Sequence, residues 1–170
     1  GVRAAGRNSA IGAVLATLPG GVYNSGVFPA GRAGATERSR RMTLALTGLS
    51  HHSSPLTLRE RMAISPERLG GALRSLKTRL DPAAPDSANT GAVILSTCNR
   101  MELYLRAEIP PESLHRIARE FLEEWHGLAE PEFAAFLYDH ANADAVRHLF
   151  RVAASLDSLV VGETEILGQV

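Results

Sequence analysis

The pattern of apolar and polar residues predicts a β-strand in three parts of the chain. Residues 43–49 and 91–96 are apolar segments bounded by polar or turn-forming residues, which is typical of strands. Residues 101–107 alternate, with apolar side chains on one face and polar ones on the other: Met101, Leu103 and Leu105 against Glu102, Tyr104 and Arg106. The pattern predicts a hairpin in which the last two strands flank a short connection.

The three- to four-residue period of an amphipathic helix recurs between and after these strands. Helices are expected at five places: 56–63; 66–80, with Ser65 as N-cap; from Pro110-Pro111 to a C-cap at Gly127; 143–156, with Asn142 as N-cap; and from about Glu163 onward. Residues 133–138 predict either a strand or a turn of helix. Strands alternating with helices predict an α+β domain, with helices packed on a small sheet.

Charge is distributed unevenly over the 170 residues, although the formal net charge is zero. Residues 1–41 carry six arginines and one acid, whereas residues 42–170 carry twelve basic and seventeen acidic side chains. The body of the chain therefore lacks the basic surface of a general nucleic-acid binder. The longest apolar runs fall short of the roughly 20 residues that a membrane helix needs, so no membrane association is expected.

Residues 1–41 are predicted to be a separate N-terminal extension. They hold eight of the fifteen glycines and follow no clear strand or helix period. We interpret them as disordered or as sequence upstream of the natural start, because Met42 directly precedes the first strand. The alternative is a targeting peptide, since import signals are rich in arginine and poor in acids. The main interpretation favours a cytoplasmic protein, and the alternative a plastid one.

Cys98 is the single cysteine of the chain and lies between the two strands of the predicted hairpin. One cysteine cannot form an internal disulfide, which fits a reducing compartment. A thiolate is a strong nucleophile, and Arg100, two residues away, brings positive charge that would favour it. The alternative is a small, buried apolar side chain, as free cysteines often are.

His148 falls at the edge of the apolar face of the predicted helix 143–156. A half-buried histidine can exchange a proton near neutral pH, and the alternative is a core-edge side chain satisfied by a carbonyl. His51 and His52 are adjacent and do not form a metal pair, so no metal site is expected. Asp157 and Ser158 are interpreted either as helix caps or as ligand-binding groups.

Three ordered blocks of residues resemble the N-terminal catalytic domain of the glutamyl-tRNA reductase family, from about Met42 to the last residue. The first block is Gly48-Leu49-Ser50-His51-His52 with Leu58-Arg59-Glu60-Arg61. The second is Val93-Ile94-Leu95-Ser96-Thr97-Cys98-Asn99-Arg100, followed by Glu102-Leu103-Tyr104. The third runs from Ala145 to Ala153 and continues through Leu156-Asp157-Ser158-Leu159, Gly162-Glu163 and Ile166-Leu167-Gly168-Gln169-Val170.

The resemblance implies that Cys98 attacks the aminoacyl ester of glutamyl-tRNA and forms a thioester. NADPH then reduces this thioester to glutamate-1-semialdehyde, for tetrapyrrole and heme synthesis. His148 matches the catalytically important histidine of the family. Substrate-contacting positions of the family correspond to Thr97, Asn99, Arg100, Ser158, Glu163, Thr164, Glu165 and Gln169. Arg100 would pair with the substrate's side-chain carboxylate, and Glu165 departs from the family, which usually has an amide there.

The resemblance also implies a ferredoxin-like fold and a division of the chain into 1–41, a catalytic domain over 42–157, and the start of a long linker helix over 158–170. The NADPH-binding and dimerisation domains of the family would be absent, so the chain is expected to be a fragment that cannot complete the reduction. Expected partners are glutamyl-tRNA and glutamate-1-semialdehyde aminomutase, and the family is homodimeric. The alternatives are a stand-alone thiol hydrolase or acyl-transfer enzyme, and a non-catalytic module that binds tRNA or protein.

Overall fold

A computed structural model describes residues 42–154 and Leu156, and its centre is a four-stranded antiparallel sheet. The strands are β1 (Thr43–Ser50), β2 (Gly91–Ser96), β3 (Arg100–Ala107) and β4 (Tyr138–Ala141). Their order in the sheet is β2-β3-β1-β4. The predicted hairpin is confirmed, because β2 pairs with β3 from Gly91 opposite Arg106 to Ser96 opposite Met101.

Four α-helices accompany the sheet: α1 (Leu56–Met62), α2 (Pro66–Leu80), α3 (Pro111–His126) and α4 (Ala143–Ala153). Two single turns of 3₁₀-helix, Glu130–Glu132 and Ala134–Phe136, connect α3 to β4. Helical segments follow β1 and β3, and the final strand returns beside the first, which is the split β-α-β arrangement of a ferredoxin-like fold. The predicted α+β, ferredoxin-like class is therefore confirmed for the described residues. The predicted extension 1–41 and the helix near Glu163 lie outside them.

The two faces of the sheet are covered differently. The face toward α2 and α3 carries the main apolar core, in which Leu49, Leu103 and Leu105 pack against Leu76 and Phe121. The opposite face carries a smaller cluster in which Leu46 and Tyr104 pack against Ala145 of α4. Alternation along β3 was predicted correctly. Its polar face is nevertheless buried, since α4 lies on that side of the sheet.

The helix caps agree only in part with those predicted from the sequence. Gly127 ends α3 at a φ of 63°, the left-handed conformation expected of a glycine C-cap. Ser65 stands at the N-cap position of α2 but makes no side-chain capping bond. Asn142 precedes α4 at a φ of 50°, and its side chain accepts a hydrogen bond from the backbone of Leu44 instead of capping the helix. The helix itself ends at Ala153, three residues before the predicted end.

The last strand begins at the final residue of the segment 133–138, for which a strand or a helical turn was predicted. Residues 134–136 form a helical turn, and the strand begins only at Tyr138. Its sequence Tyr-Asp-His-Ala does not alternate between apolar and polar residues. The strand is only four residues long and lies at the edge of the sheet. Pairing with β1, from Ala45 opposite Ala141 to Gly48 opposite Tyr138, stabilises this short strand.

Candidate active site

Cys98 lies in the connection of the β2–β3 hairpin, which we call the cysteine turn (Thr97–Asn99). The backbone N–H of Thr97 donates to the carbonyl of Arg100 at 2.9 Å and closes the turn. The Thr97 hydroxyl accepts from the backbone N–H groups of Asn99 and Arg100, each at 3.2 Å. Cys98 itself is exposed. The alternative interpretation, a cysteine buried as a small apolar side chain, is therefore wrong.

Residues outside the hairpin hold the cysteine turn from one side. The backbone N–H of His51 donates to the carbonyl of Asn99 at 2.8 Å. The Arg59 side chain, which extends from α1, donates through Nε to the carbonyl of Cys98 at 3.4 Å and through Nη1 to the carbonyl of Ser54 at 2.5 Å. The guanidinium of Arg59 therefore lies at the turn that carries the thiol, a position that the sequence alone did not indicate.

A second polar group lies beneath α4, on the other face of the sheet from the main core. We call it the carboxylate cluster: Arg100, Glu102, Tyr104, Tyr138 and His148. Glu102 is at its centre and is fully buried. Its Oε1 atom accepts from Arg100 Nη1 at 2.8 Å, from Tyr138 Oη at 2.6 Å and from His148 Nε2 at 2.8 Å. Its Oε2 atom accepts from Tyr104 Oη at 2.8 Å.

Three elements bring the carboxylate cluster together. Arg100, Glu102 and Tyr104 alternate along β3 and therefore point to the same face. Tyr138 begins the edge strand β4, and His148 lies in the second turn of α4. The His148 side chain is only 14% exposed, so the helix presses it against the sheet. This position agrees with the predicted edge of the apolar face, and the ring is bonded to a carboxylate and not to the carbonyl of the alternative interpretation.

The carboxylate of Glu102 is ionised in this environment. Burial alone would raise its pKa, but the hydrogen bond from His148, the charge of Arg100 and the hydrogen bond from Tyr138 together lower the pKa to about 2. Burial and the negative charge of Glu102 raise the pKa values of Tyr104 and Tyr138 far above neutrality. Both tyrosines therefore keep their protons and act as donors to the carboxylate.

Arg100 occupies a different electrostatic position from the one predicted. Its backbone closes the cysteine turn, but its guanidinium is buried and pairs with Glu102 at 2.8 Å. Part of the positive charge expected beside the thiol is consequently neutralised by a carboxylate on the same strand. A predicted contact of Arg100 with the substrate carboxylate stays a prediction, since no described contact involves a substrate.

The predicted site residues fall into three groups. Thr97, Cys98 and Asn99 form the cysteine turn, and Arg100 and His148 meet at Glu102. The remaining predicted substrate contacts lie outside the described residues: Ser158, Glu163, Thr164, Glu165 and Gln169. The same is true of Asp157. Their roles stay predictions, as does the division of the chain at residue 157.

Sequence reasoning missed Glu102, Tyr138 and Arg59. For Glu102 there was a usable signal, because opposite charges two residues apart on a strand point to the same face and can pair. For Tyr138 there was none, since it belongs to an edge strand without periodicity. Arg59 lies within a motif quoted for the family resemblance, but only the folded chain shows that α1 returns to the cysteine turn.

Gly48 makes room for the carboxylate cluster from the neighbouring strand. It faces Glu102 in the β1–β3 register, and a Cβ atom there would lie 2.7 Å from Glu102 Cγ and 2.8 Å from the carbonyl oxygen of Met101. We expect Gly48→Ala to lower the free energy of unfolding by about 1–3 kcal/mol, because one of the two neighbours is backbone and cannot move cheaply. Urea denaturation measures this difference.

A matched glycine is available as a control. In α2, a Cβ atom on the exposed Gly70 would meet only the end of the Arg74 side chain, at 3.7 Å. Gly70→Ala should therefore leave stability unchanged or raise it by up to about 1 kcal/mol, as expected in a helix interior. Equal stabilities of Gly48→Ala and the wild type would contradict the close packing inferred between β1 and Glu102.

The fold and the site define a class of protein: a ferredoxin-like α+β domain that presents an exposed cysteine on a hairpin turn, next to a buried carboxylate–histidine cluster. A family model described as the N-terminal domain of glutamyl-tRNAGlu reductase matches residues 47–170. The chain therefore belongs to the glutamyl-tRNA reductase family.

Two curated relatives agree with this assignment. A glutamyl-tRNA reductase of Aromatoleum aromaticum is 44% identical over 129 residues, which are 76% of this chain and 28% of the relative. One of Marinomonas sp. is 45% identical over 129 residues, with the same coverage of 76% and 28%. Among solved structures, the glutamyl-tRNA reductase from Methanopyrus kandleri is 26% identical, with a TM-score of 0.46, and the match covers 74% of this chain and 26% of that one. The chain thus spans 28% of the length of these two curated relatives.

None of the helices in the described part of the chain is long and apolar enough to span a membrane.

Proposed function

We propose that this chain captures the glutamyl group of glutamyl-tRNA as a thioester on Cys98. The observation that carries the proposal is the exposed position of the chain's single cysteine, on a turn fixed by hydrogen bonds to its backbone. A nucleophile must be accessible and held in one geometry to attack a carbonyl efficiently. The cysteine turn meets both conditions, and family membership supplies the identity of the acyl donor.

In the proposed capture step, the Cys98 thiol loses its proton and Sγ bonds to the ester carbonyl carbon of glutamyl-tRNA. The bond from that carbon to the ribose oxygen of the tRNA breaks, and the oxygen leaves with a proton. A thioester is a more reactive acyl group than the original oxygen ester, so the step prepares the carbonyl for reduction. No electrons are transferred at this stage.

His148 is proposed as the group that exchanges a proton during capture. It is held by a hydrogen bond from Nε2 to Glu102 at 2.8 Å and is 14% exposed, so water has limited access to the ring. Thr97, Asn99 and Arg100 are proposed to contact the glutamyl group. The guanidinium fork of Arg100 suits a carboxylate, although binding one would require it to be shared with Glu102 or to move.

Reduction by NADPH is assigned to residues outside the described part of the chain. In residues 42–154, no glycine-rich turn follows a strand and opens a helix in the manner of a dinucleotide-binding unit, so these residues do not fit the cofactor. NADPH supplies a hydride that would convert the thioester to glutamate-1-semialdehyde, a precursor of tetrapyrroles. What this chain's own residues supply is the acyl capture that precedes that step.

Several further expectations stay proposals. Glutamyl-tRNA is the proposed substrate partner. An interaction with glutamate-1-semialdehyde aminomutase, assembly as a homodimer and a cytoplasmic or plastid location are expected only from the family resemblance. Five proposed substrate contacts belong to residues beyond the described part of the chain: Ser158, Glu163, Thr164, Glu165 and Gln169.

Mixing the chain with glutamyl-tRNA and quenching in acid tests the proposal. We expect mass spectrometry to find one added glutamyl group on the peptide that contains Cys98, and none after prior alkylation of the thiol. Adding NADPH should release no aldehyde. The control variant Cys98→Ser should lack the thioester while retaining the fold, because the side chain is exposed.

Other outcomes would identify the alternative functions. Release of glutamate from glutamyl-tRNA by the chain, well above the spontaneous rate and dependent on Cys98, would indicate a hydrolase. Binding of glutamyl-tRNA with neither adduct nor release would indicate a non-catalytic module. Aldehyde made by these 170 residues alone would contradict the assignment of NADPH to another part of the protein.

A further inference from the structure

We propose that Glu102 is a positioning residue that fixes His148 with its proton on Nε2, so that Nδ1 is the ring nitrogen that exchanges a proton during acyl capture. The role of Nδ1 in capture rests on the proposed function. The state of the imidazole ring does not, because it follows from the contacts of the folded chain alone.

The hydrogen bonds at Glu102 determine which nitrogen of His148 carries the proton. An ionised carboxylate has no proton to donate, so any group bonded to it must be a donor. His148 Nε2 lies 2.8 Å from Glu102 Oε1 and must therefore bear a hydrogen. Arg100 and Tyr138 also donate to Oε1, and Tyr104 donates to Oε2, so four donors converge on one buried carboxylate.

The surroundings of His148 also restrict the orientation of its ring. The Tyr138 ring centroid lies 5.3 Å away and that of His140 lies 5.1 Å away. Tyr138 is itself anchored to Glu102, so one side of the imidazole packs against a ring whose position is fixed by the same carboxylate. Glu102 thus positions His148 directly through Nε2 and indirectly through Tyr138.

Fixing the ring in this manner has a chemical consequence. With Nε2 committed to the carboxylate, only Nδ1 can take up a proton from the thiol or return one to the departing ribose oxygen. Once Nδ1 is protonated, the imidazolium is paired with the negative charge of Glu102, which stabilises it in a buried site. Glu102 would therefore act through His148, without touching the substrate.

Nitrogen-15 NMR of the chain labelled at histidine tests the ring state without any substrate. In spectra recorded over a series of pH values, we expect His148 Nε2 to stay protonated and Nδ1 to be the nitrogen that gains or loses a proton, with the signals assigned by their loss in His148→Gln. A His148 ring protonated on Nδ1 and not on Nε2 would overturn the proposal. This result is independent of acyl capture, so it distinguishes failure of the inference from failure of the proposed function.

Glu102→Gln tests the effect on the reaction. Glutamine has the same shape and can still accept from His148, but it lacks the charge that would stabilise the imidazolium. In single-turnover acylation of the chain by glutamyl-tRNA, we expect the rate at saturation to fall by about 10²-fold. The half-saturating concentration of glutamyl-tRNA reports separately on Arg100, which loses its ionised partner in this variant.

Asp139→Asn provides a matched control. Asp139 lies 3.2 Å from His115 Nδ1 and pairs with Arg119, so it is a second carboxylate–histidine contact, on the opposite face of the sheet. The Asp139→Asn chain should be acylated by glutamyl-tRNA at the wild-type rate. A Glu102→Gln variant that is folded, as judged by circular dichroism, and acylates at the wild-type rate would overturn the proposal. If Glu102→Gln fails to fold, the ring state of the wild-type chain still decides the question.

Discussion

Replacing Arg100 by methionine is expected to lower the free energy of unfolding by about 3–5 kcal/mol, the usual cost of leaving one member of a buried ion pair without its partner. Arg100 is 1% exposed and Glu102 is fully buried, so water cannot take the place of the guanidinium. Methionine fills a similar volume without supplying a charge. Urea denaturation of the variant and the wild type measures the difference.

Two further variants separate the charge from the packing. Arg100→Lys keeps a positive charge near Glu102 and should lose less stability than Arg100→Met, although an ammonium cannot reproduce the planar guanidinium. The double variant Arg100→Met/Glu102→Gln removes both charges, so it should be more stable than Arg100→Met alone. If the double variant instead loses as much free energy of unfolding as the two single variants together, the two residues are not coupled. The buried-pair interpretation would then be wrong.

Acidification is expected to destabilise the fold through Glu102. Its pKa is about 2 in the folded chain, below the ordinary value of 4.5. A carboxyl group with a depressed pKa stabilises the folded state above its unfolded pKa, and this contribution is lost as the pH falls from 4.5 toward 2. At 1.36 kcal/mol per pKa unit, the loss attributable to Glu102 is about 3 kcal/mol.

Urea denaturation at pH 7, 4.5 and 2 measures this effect, and Glu102→Gln is the control. Because glutamine does not titrate in this range, the variant should lose about 3 kcal/mol less than the wild type between pH 7 and pH 2. Other carboxyl groups titrate in the same range, so only the difference between the two proteins reports on Glu102. Identical pH profiles would show that the carboxylate cluster does not lower the Glu102 pKa.

Local pattern was sufficient to predict most of this fold. The alternation from Met101 to Ala107 predicted both the strand and the face that joins the core. Proline and glycine correctly marked the ends of α3, because proline has no N–H to lose at a helix start and glycine adopts the left-handed conformation without strain. The location of Cys98 between two strands was also predicted, but its polar neighbours left open whether the side chain is exposed or buried.

The carboxylate cluster could not be predicted because its members come from distant parts of the chain. Glu102 is 36 residues from Tyr138 and 46 residues from His148. Only the pairing of β4 with β1 brings them together, and β4 has neither the length nor the alternation that identifies a strand from sequence. The family resemblance indicated His148, but the carboxylate that binds it became evident only from the folded arrangement.

Asn142 bonds to Leu44 of β1, and this contact closes the sheet around the site only after the last strand has been synthesised. Its backbone N–H donates to the carbonyl of Leu44 at 2.7 Å and its side chain accepts from the N–H of the same residue, across a separation of 98 positions. During translation, Cys98 and Glu102 are synthesised before Tyr138 and His148. A nascent chain can thus display its nucleophile early, but the histidine reaches the sheet only when the last strand closes against the first, a long-range contact of the kind that forms slowly.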